Sequence, residues 1–321
     1  MSQTKKKQHY VWRNYLAAWT QNNTTTGKIW CLRDNKVFQP SLLSIAHENY
    51  FYEVKELSQK ERALIYELAI KDTTGMQRQI NEQWLKLYCA PYDYADKIAS
   101  LEYLLPDYTE LYEIKQDQLF RKWSIEHIEM LHCQIELSGI PFISLLRQSS
   151  LDFWKAEIDR EKFGFFLANQ YFRTKKMRDA LVSSMKATNE IVGGFNDIRP
   201  ENIWLPLSLI FASNVGIQIA HGFLAVIMMT DDASFIVGDQ PVINTYSTFD
   251  AKIVPEKVEF FYPITPNSAL LLTEDPKYTN GQTISISRDE VVKYNLLEQK
   301  SAREMIFAKE EEQLNTFISL T

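Results

Sequence analysis

The chain has 321 residues, 45% of them hydrophobic and 24% charged, which is ordinary globular usage and excludes wholesale disorder. A formal net charge of -6 and a pI near 5.5 argue against a broad electrostatic footprint for duplex nucleic acid, while leaving room for a local basic cleft. The three cysteines, Cys31, Cys89 and Cys133, are widely spaced with no Cys-x-x-Cys pair, and no secretory leader pattern is present, so a reduced cytoplasmic setting is expected.

Residues 9–19 read as a short helix whose apolar face carries Tyr15, Leu16 and Trp19. The polar cluster 20–27 reads as a turn. Strands are expected at 28–33 and 36–39, joined by Asp34-Asn35, a pair that tolerates tight-hairpin geometry. A third extended piece is expected at 50–54. Ser58 with Glu61 three residues on is a capping-box signature and opens a helix to about Ala69. A second helix is expected at 76–88, with Pro91 and Pro106 punctuating two more. An amphipathic helix at 117–137 should end at Gly139-Ile-Pro141, with a short one after it.

Residues 163–178 form the central stretch, an apolar helix with Asn169, Gln170 and Arg173 in its middle. Gln170 and Arg173 share a helical face, and burying them is costly unless partners accept their hydrogen bonds. Gly193-Gly194 and Pro200 mark a loop, and 204–219 is again helical. The apolar run 203–229, broken by Asn214, Gln218 and His221, reads as a buried helix running into a strand and not as a membrane span. Strand-like runs follow at 223–229, 234–237, 258–262 and 269–273, and 288–318 closes the chain as a helix or helix pair.

The expected architecture is α+β, a mainly helical middle packed on a small mixed or antiparallel sheet built from both ends of the chain. It forms one interlocked domain over 1–321, divided into an N-terminal helix and strands (1–57), a helical middle (58–221), C-terminal strands (222–287) and a closing helix (288–321). Three N-terminal strands alone are too few for a stable sheet, which is why the two ends are expected to share one.

Asp239 follows a predicted strand and precedes Pro241, so two readings stand open: a carboxylate projecting into a site, or a side chain capping the following turn. Arg173 is placed to fork onto a carboxylate such as Asp239, or onto a phosphate. His9, beside Lys5 to Lys7, is suited to acid–base work or to ligation, though a histidine so placed is more often only packed or exposed. There is no His-Glu-x-x-His pattern, no Gly-x-Ser-x-Gly elbow, and no glycine-rich phosphate loop at Gly193-Gly194.

His9-Tyr10-Val11 with Tyr15-Leu16 and Trp19, Phe166-Leu167 with Gln170, Arg173 and Thr174, Phe235-Ile236 with Asp239, Pro241 and Val242, and Tyr262-Pro263 with Pro266 and Ala269-Leu270-Leu271 resemble the successive blocks of the domain-of-unknown-function 4238 family. Ile135-Glu136 and Asn295 resemble its middle and its closing helix. Trp12 stands where the family usually has proline, and Gly238-Asp239-Gln240 replaces the more usual Ser-Asp-Asn. The resemblance implies a bacterial protein and a shared fold and site, with no established reaction.

It also implies which residues gather: His9, Glu136, Gln170, Arg173 and Asp239 as catalytic groups, with Tyr10, Lys175 and Asn295 on the substrate. Such a set suits a hydrolase of nucleic acid or a nucleotide, a toxin-like or phage-defence effector, in which Asp239, Glu136 and His9 would hold Mg²⁺ or Mn²⁺. RNA, DNA or a nucleotide is the expected partner, with a protein partner encoded nearby and no membrane. The alternative is a non-enzymatic recognition module in which these residues form a buried structural network.

Overall fold

The computed structural model describes residues 6–102, 118–192, 197–248, 253 and 255–318. The chain opens with β1 (Lys7–His9), which pairs antiparallel with β4 (His47–Asn49), so His9 begins in a strand and the helical turn α1 (Arg13–Leu16) starts later than expected. Trp12 sits at the N-cap of α1 with its ring edge against Phe166, 5.7 Å between centroids. β2 (Trp30–Arg33) and β3 (Lys36–Phe38) form the expected hairpin, and Asp34 and Asn35 both take the positive φ that its tight turn demands. Residues 50–54 are not a strand. The chain turns at Tyr50 (φ 58°), and Tyr52 N–H and Val54 N–H bond to the Gln8 side chain and the Ser124 carbonyl.

The helical middle comprises α2 (Gln59–Ala69), α3 (Gly75–Glu102), α4 (Gln118–Arg147), α5 (Glu157–Phe172), α6 (Lys175–Val192) and α7 (Pro200–Gly222). The Ser58–Glu61 capping box is formed with both of its hydrogen bonds. Pro91 and Pro141 do not end helices, because α3 and α4 run through them. An interior proline leaves the carbonyl four residues earlier without its helical donor. For Pro91 that acceptor is Leu87 O, and His127 Nε2 donates to it at 2.8 Å. For Pro206 inside α7 it is Asn202 O, which accepts from the Tyr88 hydroxyl at 3.3 Å. The predicted stops at Pro106 and Gly193-Gly194 lie outside the described residues.

α7 is apolar all round, as a central helix should be. It is long and apolar enough to cross a membrane, yet 72% of its apolar window is buried within the fold. Its closest partner is α5. A Cβ on Gly164 would stand 2.3 Å from Gly216 O, so only glycine at this crossing allows backbone to meet backbone. Asn169 and Gln170 are among the residues that α5 buries.

The strands β5 (Leu224–Met229), β7 (Ile243–Asn244), β8 (Phe260–Thr265), β9 (Ser268–Thr273) and β10 (Thr283–Ser285) form a five-stranded sheet ordered β10-β5-β9-β8-β7. All its pairings are antiparallel except β10 with β5. The closing stretch is α8 (Arg288–Ser301), then β11 (Ile306–Ala308), then α9 (Glu311–Ile318), so a strand interrupts the expected helix pair. β11 lies between β2 and β6 (Val237–Gly238) in a four-stranded sheet ordered β3-β2-β11-β6. The fold is α+β, with the strands distributed over three sheets instead of one, and the four-stranded sheet is where the two ends of the chain interlock.

Candidate functional site

The central stretch is two helices. α5 ends at Phe172, Arg173 leaves the helical conformation (φ -82°, ψ 6°), and α6 starts at Lys175. This break lets the Arg173 side chain turn inward. It is 1% exposed, and its Nη2 donates to Glu136 Oε1 at 2.5 Å. Burial opposes the charge, but Tyr52 and Glu136 more than compensate and hold the guanidinium pKa above its ordinary value. The carboxylate that Arg173 meets is therefore Glu136, not Asp239.

Around this pair lie groups that sequence reasoning missed. The Tyr52 hydroxyl donates to His9 O at 3.3 Å and, at the long limit of 3.5 Å, to Arg173 O. Its ring packs against His132, 4.4 Å between centroids. Burial first, and then the charge on Arg173, push the His132 pKa well below the usual histidine value, so the ring is neutral. Arg173 Nε and Nη1, Gln170 Nε2 and both His132 nitrogens are buried without a hydrogen-bond partner among the described residues. No local spacing ties Tyr52 or His132 to Arg173, so only the fold could reveal them.

Asp239 lies just past β6, 1% exposed, and its side chain closes a turn in the closing segment. Oδ1 accepts from Arg303 N–H at 2.6 Å and Oδ2 from Glu304 N–H at 3.0 Å, while Asp239 N–H donates to Met305 O at 3.0 Å. Asp239 does not cap the turn that follows it; its carboxylate caps a turn more than 60 residues away in sequence. Burial pushes its pKa up to about 6 even though the backbone donors from Arg303 and Glu304 favour the carboxylate; burial wins. Glu298 flanks Gly238 on the other side, accepting from its N–H at 2.9 Å, and burial lifts its pKa well above the usual range.

A bridge joins this turn to the break between the helices. Thr174 Oγ1 donates to Gln240 Oε1, and Gln240 Nε2 donates to Tyr171 O at 3.1 Å and Val242 O at 2.9 Å. Tyr10 is buried within reach of Asp239 and Glu304; burial first, then those two charges, raise its pKa. Lys175 Nζ meets Glu304 at 2.5 Å and Glu48 at 3.5 Å.

Two expected members stand apart. His9 Nε2 donates to Leu42 O at 3.2 Å, and its ring lies edge-on to His47 at 5.4 Å. Asn295 clamps the chain ahead of β6, accepting from Ile236 N–H and donating to Ser234 O, both at 3.0 Å. The structure thus pairs Arg173 with Glu136, with Gln170 buried one turn earlier on α5, and separately sets Tyr10 near Asp239 and Glu304, with Lys175 on Glu304. Glu298 could have been found from Asn295, since the two are three apart on α8 and support the same strand.

His9, Glu136 and Asp239 do not fit a shared cation. Their polar atoms turn to Leu42, Arg173 and the Arg303–Glu304 amides, and among the described residues the only His/carboxylate group whose ligand atoms converge is Glu157, Glu161 and His221.

Beside the Thr174–Gln240 bridge opens a cavity of about 440 Å³. Its polar wall includes Lys176, Gln240, Asn244, Lys300 and Arg303, its apolar wall includes Tyr171, and among the described residues no acidic side chain lines it. Burial lowers the Lys176 pKa, against the pull of Asp239 and Glu298. A second cavity of about 410 Å³, bounded by Leu64, Phe172, Leu181, Trp204 and Phe211, has no charged lining among the described residues and lies across α2, α5, α6 and α7.

Taken together, the fold and site define an α+β protein in which a broken central helix and a carboxylate-clamped strand end are tied to one another. The family model for proteins of unknown function DUF4238 matches residues 7–312, and the chain belongs to that family. No curated protein and no solved structure matches it.

Proposed function

We propose that the chain is a recognition module that binds a phosphate-bearing ligand, a nucleotide or a nucleic-acid end, in the cavity beside Gln240. The observation that carries this reading is the lining: Lys176, Lys300 and Arg303 all contribute to it, with no acid among the described wall residues, in a chain of net charge -6. Phosphate would meet the cations, and a base would lie against the Tyr171 side. A volume of about 440 Å³ falls within the range of small-molecule sites.

Recognition is favoured over hydrolysis because the groups expected to do chemistry are committed to the architecture. Asp239 caps a turn with both oxygens, Glu136 balances Arg173, and His9 serves Leu42 O. Hydrolysis stays as the second reading on one observation. Asp239, with a pKa of about 6, holds the Arg303 and Glu304 amides directly behind the cavity wall.

The test is calorimetric titration with nucleoside mono-, di- and triphosphates and short single-stranded RNA and DNA, followed by product analysis with Mg²⁺ or Mn²⁺. Binding without turnover supports recognition. Turnover that D239N abolishes supports the second reading. No binding up to about 1 mM removes both.

A further inference from the structure

At the other end of α5 a second group of chemistry-bearing side chains converges, none of them part of the site above. Glu157 and Glu161 lie one turn apart in the first turns of α5, and His221 lies in the last turn of α7. His221 Nε2 is 3.2 Å from Glu161 Oε1, and His221 Nδ1 is 3.9 Å from Glu157 Oε1. One ligand atom from each residue can be chosen so that all lie within 4.8 Å of one another.

The backbone beneath these side chains is fixed. α5 and α7 touch main chain to main chain at Gly164 and Gly216, and Arg160 Nε donates to Ala220 O at 3.0 Å, which pins the end of α7 to the start of α5. Charge supplies a separate argument. Like charges at i, i+4 on a helix repel, yet among the described residues no lysine or arginine pairs with Glu157 or Glu161. Glu274 adds a carboxylate nearby, its Oε1 3.8 Å from where a Cβ on Gly222 would stand. A divalent cation held between the two carboxylates would offset their charge.

We propose that Glu157, Glu161 and His221 form a surface site for a divalent transition-metal ion of the zinc class. Imidazole plus carboxylates is a borderline donor set that suits Zn²⁺, Co²⁺ or Ni²⁺ better than Mg²⁺ or Ca²⁺, which prefer oxygen alone. Around zinc, with bonds of about 2.0–2.2 Å, neighbouring ligand atoms stand roughly 3.3–3.5 Å apart, so side-chain rotation of about one ångström closes the group. All three side chains are partly exposed, so they are free to make that adjustment, and water completes the coordination. The site is independent of the nucleotide reading, because Glu161 and Arg173 are separated by about 18 Å along the helix axis.

The experiment is titration of the full chain, freed of any affinity-tag histidines, with Zn²⁺ by calorimetry and with Co²⁺ by visible absorption, near neutral pH. One equivalent is expected at a Kd on the order of 10 µM, weakened at least ~10-fold in H221A and in E161Q, since even outer-shell partners of metal ligands are worth that much. The zinc-dependent rise in melting temperature should vanish in H221A. Because this is a difference between metal-loaded and metal-free protein, any intrinsic loss of stability in the variant does not confound it. Absence of binding by the native chain at 100 µM Zn²⁺, about tenfold above the expected Kd, would overturn the site. Binding that survives H221A unchanged would overturn it equally, and would point to Cys31, Cys89 or Cys133 instead.

Discussion

His127 Nε2 lies 2.8 Å from Leu87 O, the acceptor that Pro91 leaves without its helical donor. A histidine 40 residues along the chain thereby lets α3 continue through a buried proline. Orphaning a buried carbonyl costs about 1–3 kcal/mol, so H127A should destabilise by roughly that amount in urea unfolding. In a P91A background the helix regains its own amide donor, and the same substitution should cost about 1 kcal/mol less. A double-mutant cycle measures the coupling directly. Zero coupling would mean that the imidazole is only packing.

Arg173 and Glu136 are unequally enclosed: the arginine side chain is 1% exposed and the glutamate 17%. Removing the partner of the more buried charge should do the greater harm. E136A strands a guanidinium in the core and should cost about 3–5 kcal/mol, as breaking other buried pairs does. R173M leaves a carboxylate that can rehydrate and should cost distinctly less. Chemical denaturation of the two variants checks the order, and the reverse order would show that Glu136, not Arg173, is the trapped charge.

These contacts explain which parts of the fold could be read in advance. The Ser58–Glu61 box and the Asp34-Asn35 turn are local, and their chemistry is complete within four residues. The stops predicted at Pro91 and Pro141 failed for the opposite reason. For Pro91, and for Pro206 within α7, the donors that rescue the helices come from His127 and Tyr88, far away in sequence. Arg173 was recognisable as a polar group on an otherwise apolar helix, but a guanidinium has several possible acceptors and only tertiary packing selects Glu136. β11 is three residues long, too short to show alternation, and is a strand because β2 and β6 flank it.

The cation-lined cavity predicts a salt-dependent ligand. K300E with R303E should weaken nucleotide binding more than 10-fold and flatten its dependence on salt, since each lost phosphate contact releases one fewer counterion. Arg303 also pairs with Asp179 at 2.9 Å on the surface, a contact worth under about 1 kcal/mol, so the variant should melt near the native temperature. Titrations at two salt concentrations decide the matter, and an unchanged slope would move the ligand elsewhere.

Asp239 titrates near 6 in the folded chain against an ordinary 3.8, so between those values the native state binds a proton that the unfolded chain has lost. The stability that Asp239 contributes should therefore fall as pH rises from about 4 to 6 and level off above. The difference of roughly two units corresponds to about 3 kcal/mol, an order-of-magnitude figure. Glu298 is shifted in the same direction and extends the decline toward higher pH. In D239N the Asp239 share of this slope should disappear and the Glu298 share remain, at a cost of about 1 kcal/mol because an amide offers one acceptor oxygen where the carboxylate offered two. Urea midpoints at half-unit pH steps measure both effects. A native chain that gains stability across this window would show that the Arg303 and Glu304 amides outweigh burial, with Asp239 ionised throughout.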